Sequence, residues 1–197
     1  MKFGCVIVCV LILVSCNKSE PNFDFISVDR SVVATTHRLS ISLKLRNDFE
    51  PFGEHDFVES HDGVPFKVST ATFLSSNEMI ILLAEEHLDP KGRFTYDLPV
   101  DTLNGMNVYR RVGCFNLFDE TEQDLRENAY LRFLKREGFD FQQGLNMVQF
   151  ILLNDEKSAE VVLSYVELLP ECPEIKDQKN LILKGKNTLS DFSLLNE

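Results

Sequence analysis

Leu39-Ser40-Ile41-Ser42-Leu43-Lys44-Leu45-Arg46 alternates apolar and polar side chains without a break. Neighbouring side chains of an extended chain point to opposite faces, so this octet reads as a strand with one buried and one solvated face. The pattern recurs on both sides of it. Phe23 to Val28 alternates in the same way, and Pro65 to Phe73 and Met79 to Ala84 follow, separated by the polar turn Ser75-Ser76-Asn77-Glu78. Pro90-Lys91-Gly92 breaks the chain before a further alternating run, Arg93-Phe94-Thr95-Tyr96-Asp97-Leu98. Asn104-Gly105 is a turn dipeptide, since both residues tolerate positive φ. Val108 to Phe118 is the next expected strand. Asn146 to Leu153 and Ala159 to Leu168 then flank Asn154-Asp155-Glu156-Lys157-Ser158, a hairpin loop by composition.

One segment has a different period. Leu125, Ala129 and Phe133 recur every four residues, with Tyr130 and Leu134 beside them. Asp119 to Glu122 has the form of a capping box, with Asp119 as N-cap. Arg132, Lys135 and Arg136 suit the negative end of a helix dipole, and Gly138 suits its C-terminal cap. The spacing predicts one amphipathic helix over 120–137. Pro170 to Pro173 end regular structure, and 175–197 reads as a polar tail or a single edge strand around Leu181-Ile182-Leu183. Many short strands, one helix and no βαβ alternation give a mainly β fold: an antiparallel β-sandwich, Ig-like or jelly-roll-like, with one inserted helix. Residues 23–174 form its single domain.

The first 22 residues belong to another category. Met1, a single basic Lys2, an apolar run from Phe3 to Val14 and the tetrapeptide Leu13-Val14-Ser15-Cys16 stand at the start. The run is shorter than the roughly 20 apolar residues that span a bilayer. Its order of basic, apolar and small-residue regions is that of an export signal. The stretch resembles the signal of bacterial lipoproteins. That resemblance implies cleavage after residue 15, lipidation of Cys16 and palmitate-class acylation of the new N-terminus, which together hold a protein firmly to a membrane. Asn17, where an Asp signals inner-membrane retention in several lineages, points to the outer membrane. Residues 16–22 are then the lipidated Cys and a polar tether.

Composition restricts what the body does. Of the 20 basic and 31 acidic residues only Lys2 lies in the signal, which leaves a mature charge of −12. Such a protein repels polyanions, so no nucleic-acid partner is expected, and the charge favours solubility and cationic partners. Sixteen Phe and no Trp suit core packing better than a sugar platform. Once Cys5, Cys9 and Cys16 are assigned to the signal and anchor, Cys114 and Cys172 remain. An even pair in an exported chain reads as a disulfide.

The densest polar cluster is Glu54 to Gly63, holding His55 and His61 with four carboxylates. On an extended strand His55, Glu59 and His61 share a face, and imidazole plus carboxylate is a workable zinc set, although no tight ligand spacing is present. A solvated hairpin turning at Asp62-Gly63 explains the same residues. Asn154 to Glu156 lacks the spacing of a calcium loop. No G-x-S-x-G elbow occurs, His37 and His87 are isolated, and Glu85-Glu86 reads as a chance pair in an acidic chain. Arg110 and Arg111 are expected on opposite sides of a strand. No cofactor is expected. The leading expectation is therefore a non-enzymatic lipoprotein that binds another envelope or surface protein, with the 50–63 loop as contact region and Phe49, Phe52 and Phe57 beside its charges, either as exposed contacts or simply as core. An immunity or inhibitor lipoprotein is the alternative, and a metal-dependent hydrolase at His55, Glu59 and His61 the third.

Overall fold

A computed structural model describes residues 23–61, 63–173 and 178–195. The readings that fall on residues 1–22, including Cys16, lie outside the described residues, as do Asp62 and residues 174–177.

Alternating apolar residues near the N-terminus build a small sheet. Its strands are β1 (Ile26–Asp29), β2 (Val32–Thr35) and β3 (Ile41–Lys44). Ile41 and Leu43 are fully buried and Leu39 and Leu45 nearly so, as the octet's alternation requires. Longer strands make a second sheet: β4 (Glu50–His61), β5 (Val64–Leu74), β6 (Glu78–His87), β7 (Val100–Leu103), β8 (Met106–Asn116), β9 (Gly144–Leu153) and β10 (Ala159–Leu169). A last short strand, β11 (Phe192–Leu194), pairs with β3 and completes the small sheet in the order β1-β2-β3-β11. The large sheet has the order β4-β5-β6-β10-β9-β8-β7, antiparallel throughout. The molecule is an antiparallel β-sandwich with a small helical insertion.

Turn chemistry sets the hairpins. Asn104 and Gly105 take φ of 47° and 78° between β7 and β8, the left-handed pair of a two-residue hairpin. Gly63 takes φ of 78° at the tip of the β4–β5 hairpin. The Asn154 side chain accepts the backbone N–H groups of Ser158 and Ala159 at 2.9 and 3.1 Å, closing the β9–β10 loop.

Helices α1 (Glu122–Glu127) and α2 (Ala129–Arg136) follow a 3-10 turn at Leu117–Asp119. The single helix expected over 120–137 is thus broken at Asn128, whose extended backbone ends α1. Its side chain caps α2 by accepting Leu131 N–H at 3.0 Å. The capping box is also displaced from the expected residues: Thr121 is the N-cap, and the Asp124 carboxylate reaches back to Thr121 N–H at 2.7 Å. Gly138 takes φ of 84°, as a C-terminal cap should.

Two other expectations are corrected. Leu181-Ile182-Leu183 lies in a third helix, α3 (Lys179–Thr188), which packs on the face of β9 and β10 shared with the small sheet. The edge strand lies further on, at Phe192–Leu194. Arg93 to Leu98 alternates but forms no strand, because Phe94 and Tyr96 turn onto the large sheet instead.

The sandwich core joins Val33, Ile41 and Leu43 to Phe73, Ile80, Leu82, Phe150, Leu163 and Tyr165. A second core lies on the other face of the large sheet, where Leu125, Leu131, Phe133 and Leu134 cover Met79, Ile81, Leu145 and Val166. Strands β6 and β10 are therefore covered on both faces over much of their length. This is why Met79 to Ala84 reads as a continuous apolar run rather than an alternating one. The Cys114–Cys172 disulfide ties β8 to the segment after β10.

Candidate functional site

The helices cover only part of the outer face of the large sheet. The rest of that face carries a cavity of about 830 Å³, walled by β4, β5, β6, β8, β9 and β10 and by the 93–96 segment. Its floor can be read off the strand register. One cross-strand rung runs from Glu160 on β10 through Glu85 on β6 and Val68 on β5 to Phe57 on β4. The next is apolar, Ile151-Val162-Leu83. The one beyond it is polar again, Arg111-Gln149-Ser164, where Gln149 Nε2 donates to Ser164 Oγ at 3.3 Å. Met147 and Leu145 continue the apolar wall beneath Tyr130.

Glu85 and Glu160 are the centre of this arrangement. They are direct cross-strand partners, so both side chains stand on the same face of the sheet, beside each other in the cavity. Tyr96 Oη donates to both Glu160 oxygens, at 2.9 and 2.6 Å. Burial pushes Glu85 well above the ordinary carboxylate range, and the charges of Glu160 and Glu59 add to this while Arg111 opposes it. Burial likewise raises Glu160, to about 7, against the lowering effects of Tyr96, Glu85 and Arg111. Tyr96 is pushed up by burial and by the Glu160 charge, and stays a donor. Behind the sheet the buried His37, held neutral by desolvation, donates from Nε2 to the Glu160 carbonyl at 3.0 Å.

Aromatic rings form one wall. The Phe94 ring lies 4.1 Å from His87 and 6.1 Å, edge-on, from Phe66. Tyr96 lies 5.6 Å from Tyr109. Arg93 lines the rim, but its guanidinium donates to the carbonyls of Pro90 and Gly92 at 2.9 and 2.6 Å. Apolar walls with a few convergent polar groups and shifted carboxyls are the general form of a small-ligand site. Chemically the carboxyl pair can exchange a proton, accept hydrogen bonds or balance a cation.

His55 and Glu59 do lie on one face of β4, as their spacing requires. They meet different neighbours, however. The His55 ring stacks on Phe133 at 5.3 Å and 8°, beneath α2, whereas Glu59 lines the cavity. The His61 side chain lies outside the described residues. Among the described residues no group of three or more His, Cys, Asp or Glu side chains is placed to hold a metal. The expectation of exposed Phe contacts in 50–63 is overturned. Phe49 and Phe57 are buried, and Phe52 packs edge-on against Phe133 and Phe139 at 6.2 and 5.8 Å. Fully burying a Phe side chain is favourable by roughly 1.5–3 kcal/mol, which draws these rings into the core and leaves the charges to the solvent. Arg110 and Arg111 do part to opposite faces, Arg110 to Asp101 and Arg111 to the cavity.

The Glu85–Glu160 pair escaped the sequence reading because 75 positions separate the two residues and no motif joins them. The available signal was Glu85 itself, a charge on the same strand face as Ile81 and Leu83.

Comparison with protein-family models, with curated proteins and with solved structures finds no match for this chain.

Proposed function

We propose that this chain is a lipid-anchored, non-enzymatic binding protein of the bacterial cell envelope, held in the outer membrane through Cys16, with the cavity on the large sheet as its recognition site. The observation that carries the reading is that cavity, with apolar and aromatic walls around the cross-strand Glu85–Glu160 carboxyl pair, to which Tyr96 donates. Export is supported by the Leu13-Val14-Ser15-Cys16 resemblance and by the Cys114–Cys172 disulfide, a bond suited to an oxidising compartment. A protein of the envelope or surface would engage the same face, or would hand over what the cavity holds.

The test is gentle release of the tagged protein from membranes, followed by native mass spectrometry and identification of what co-purifies. A stoichiometric small-molecule adduct or partner, reduced when Val162→Phe narrows the cavity, is the expected result. An empty protein with no partner, from membranes and from a Cys16→Ala strain alike, overturns the reading. The mature charge of −12 favours one second reading, an immunity or inhibitor lipoprotein for a basic target, because charge complementarity speeds association. Such a protein would hold one enzyme at 1:1 and lose it at high salt.

A further inference from the structure

Resting on that reading, the geometry points to a small amphipathic organic cation, an amine with an apolar or aromatic body, as the class of ligand the cavity takes. The argument begins with charge. Glu59, Glu85 and Glu160 line the cavity, and the cationic side chains lining it are Arg111 and Arg93. Arg93 keeps its charge but is held at the loop carbonyls of Pro90 and Gly92, so Arg111 is the cation that acts on Glu85 and Glu160. His87, lowered by desolvation, brings no charge to the wall. The other titratable groups around the pair are Tyr96, which donates to Glu160, Tyr109 behind it, and His37, which binds the Glu160 backbone from the far face. Three carboxyl groups thus line the cavity against two guanidinium groups, and burial favours the protonated form of Glu85 and Glu160. A bound ammonium group can take the place of such a proton.

The walls then select the body of the ligand. Phe57, Phe66, Phe94 and Tyr96 present rings around the carboxyl end, and ring faces attract cations as well as apolar groups. Beyond them Leu83, Ile151 and Val162 make an apolar rung about two residues, or roughly 7 Å, deep before polar side chains return. A head of one positive charge against the carboxyl pair and a short apolar body along that rung match this sequence of surfaces. A carboxylate head would meet Glu85 and Glu160 instead, and a neutral head would gain no charge attraction from them.

The experiment is isothermal titration of the whole exported protein with benzylammonium, benzyl alcohol and benzoate, one body with three heads. At pH 8 an amine of ordinary basicity is still charged. Benzylammonium should bind about tenfold or more tighter than the other two, a difference of about 1.4 kcal/mol. It should bind tighter as pH rises from 6 to 8, with proton release seen as a dependence on buffer ionisation heat. Glu85→Gln and Glu160→Gln should each lose tenfold or more while remaining folded. Equal binding of all three heads, tighter binding of benzoate, or an amine affinity indifferent to both Gln variants overturns the ligand class and leaves the cavity as a binding site. Failure of all three to bind overturns the ligand class, and native mass spectrometry of the membrane-released protein then decides separately whether the cavity is a recognition site.

Discussion

Glu85 and Glu160 face each other across the β6–β10 ladder on the floor of the cavity, where burial raises both carboxyls above the ordinary carboxylate range. A charge placed there opposes folding unless the proton stays. Both carboxyls are raised above their unfolded values, so between about pH 4.5 and 7 the folded state binds more protons than the unfolded one. Stability therefore falls as pH rises through that window and is recovered on acidification.

Unfolding by urea at pH 5.5 and at pH 8 should show the wild type more stable at the lower pH. Glu160→Gln should flatten that dependence and raise stability at pH 8 by roughly 1–3 kcal/mol. A pH slope unchanged by the substitution would contradict a Glu160 carboxyl raised by burial.

Reduction of Cys114–Cys172 should lower stability by about 4 kcal/mol on the chain-entropy account, since the bond closes residues 58 apart in sequence. The double Ser variant should match the reduced wild type in a urea titration. A loss well under 1 kcal/mol would show that the segment after β10 is held in place without the bond.

Gly185 lies on α3 where an added Cβ would come within 2.5 Å of Val148 Cγ1. Gly185→Ala should therefore destabilise by about 1–3 kcal/mol, even though Ala favours an exposed helix by about 1 kcal/mol over Gly. Adding Val148→Ala should return part of the loss, a coupling visible in a double-mutant cycle. Simple additivity would mean that α3 shifts to accept the methyl group.

Phe133 is fully buried, stacks on His55 and meets Phe52 and Tyr130. Phe133→Ala should cost about 3–5 kcal/mol, and thermal unfolding followed by circular dichroism would measure it. Asn128→Ala removes only the cap of α2 and should cost about 1 kcal/mol. A larger loss for Asn128 than for Phe133 would reverse the account of what fastens the helices to the sheet.

Residue pattern by itself determined β3, β5, β6, β8, β9 and β10, the turn at Asn104-Gly105 and the disulfide partners of this protein. Alternation such as Leu39 to Arg46, a dipeptide such as Asn104-Gly105, and an even pair of cysteines each depend on neighbours or on counting, which a linear chain displays directly. Tertiary structure alone decided the rest. Arg93 to Leu98 alternates like a strand yet caps a cavity, because the large sheet offers Phe94 and Tyr96 an apolar face and a carboxylate acceptor that no local rule contains. Leu181 to Leu183 is helical because α3 buries Leu181 in the sandwich core. Glu85 and Glu160 became a site because antiparallel pairing brings together residues far apart in sequence, and burial then makes the interaction of their charges strong.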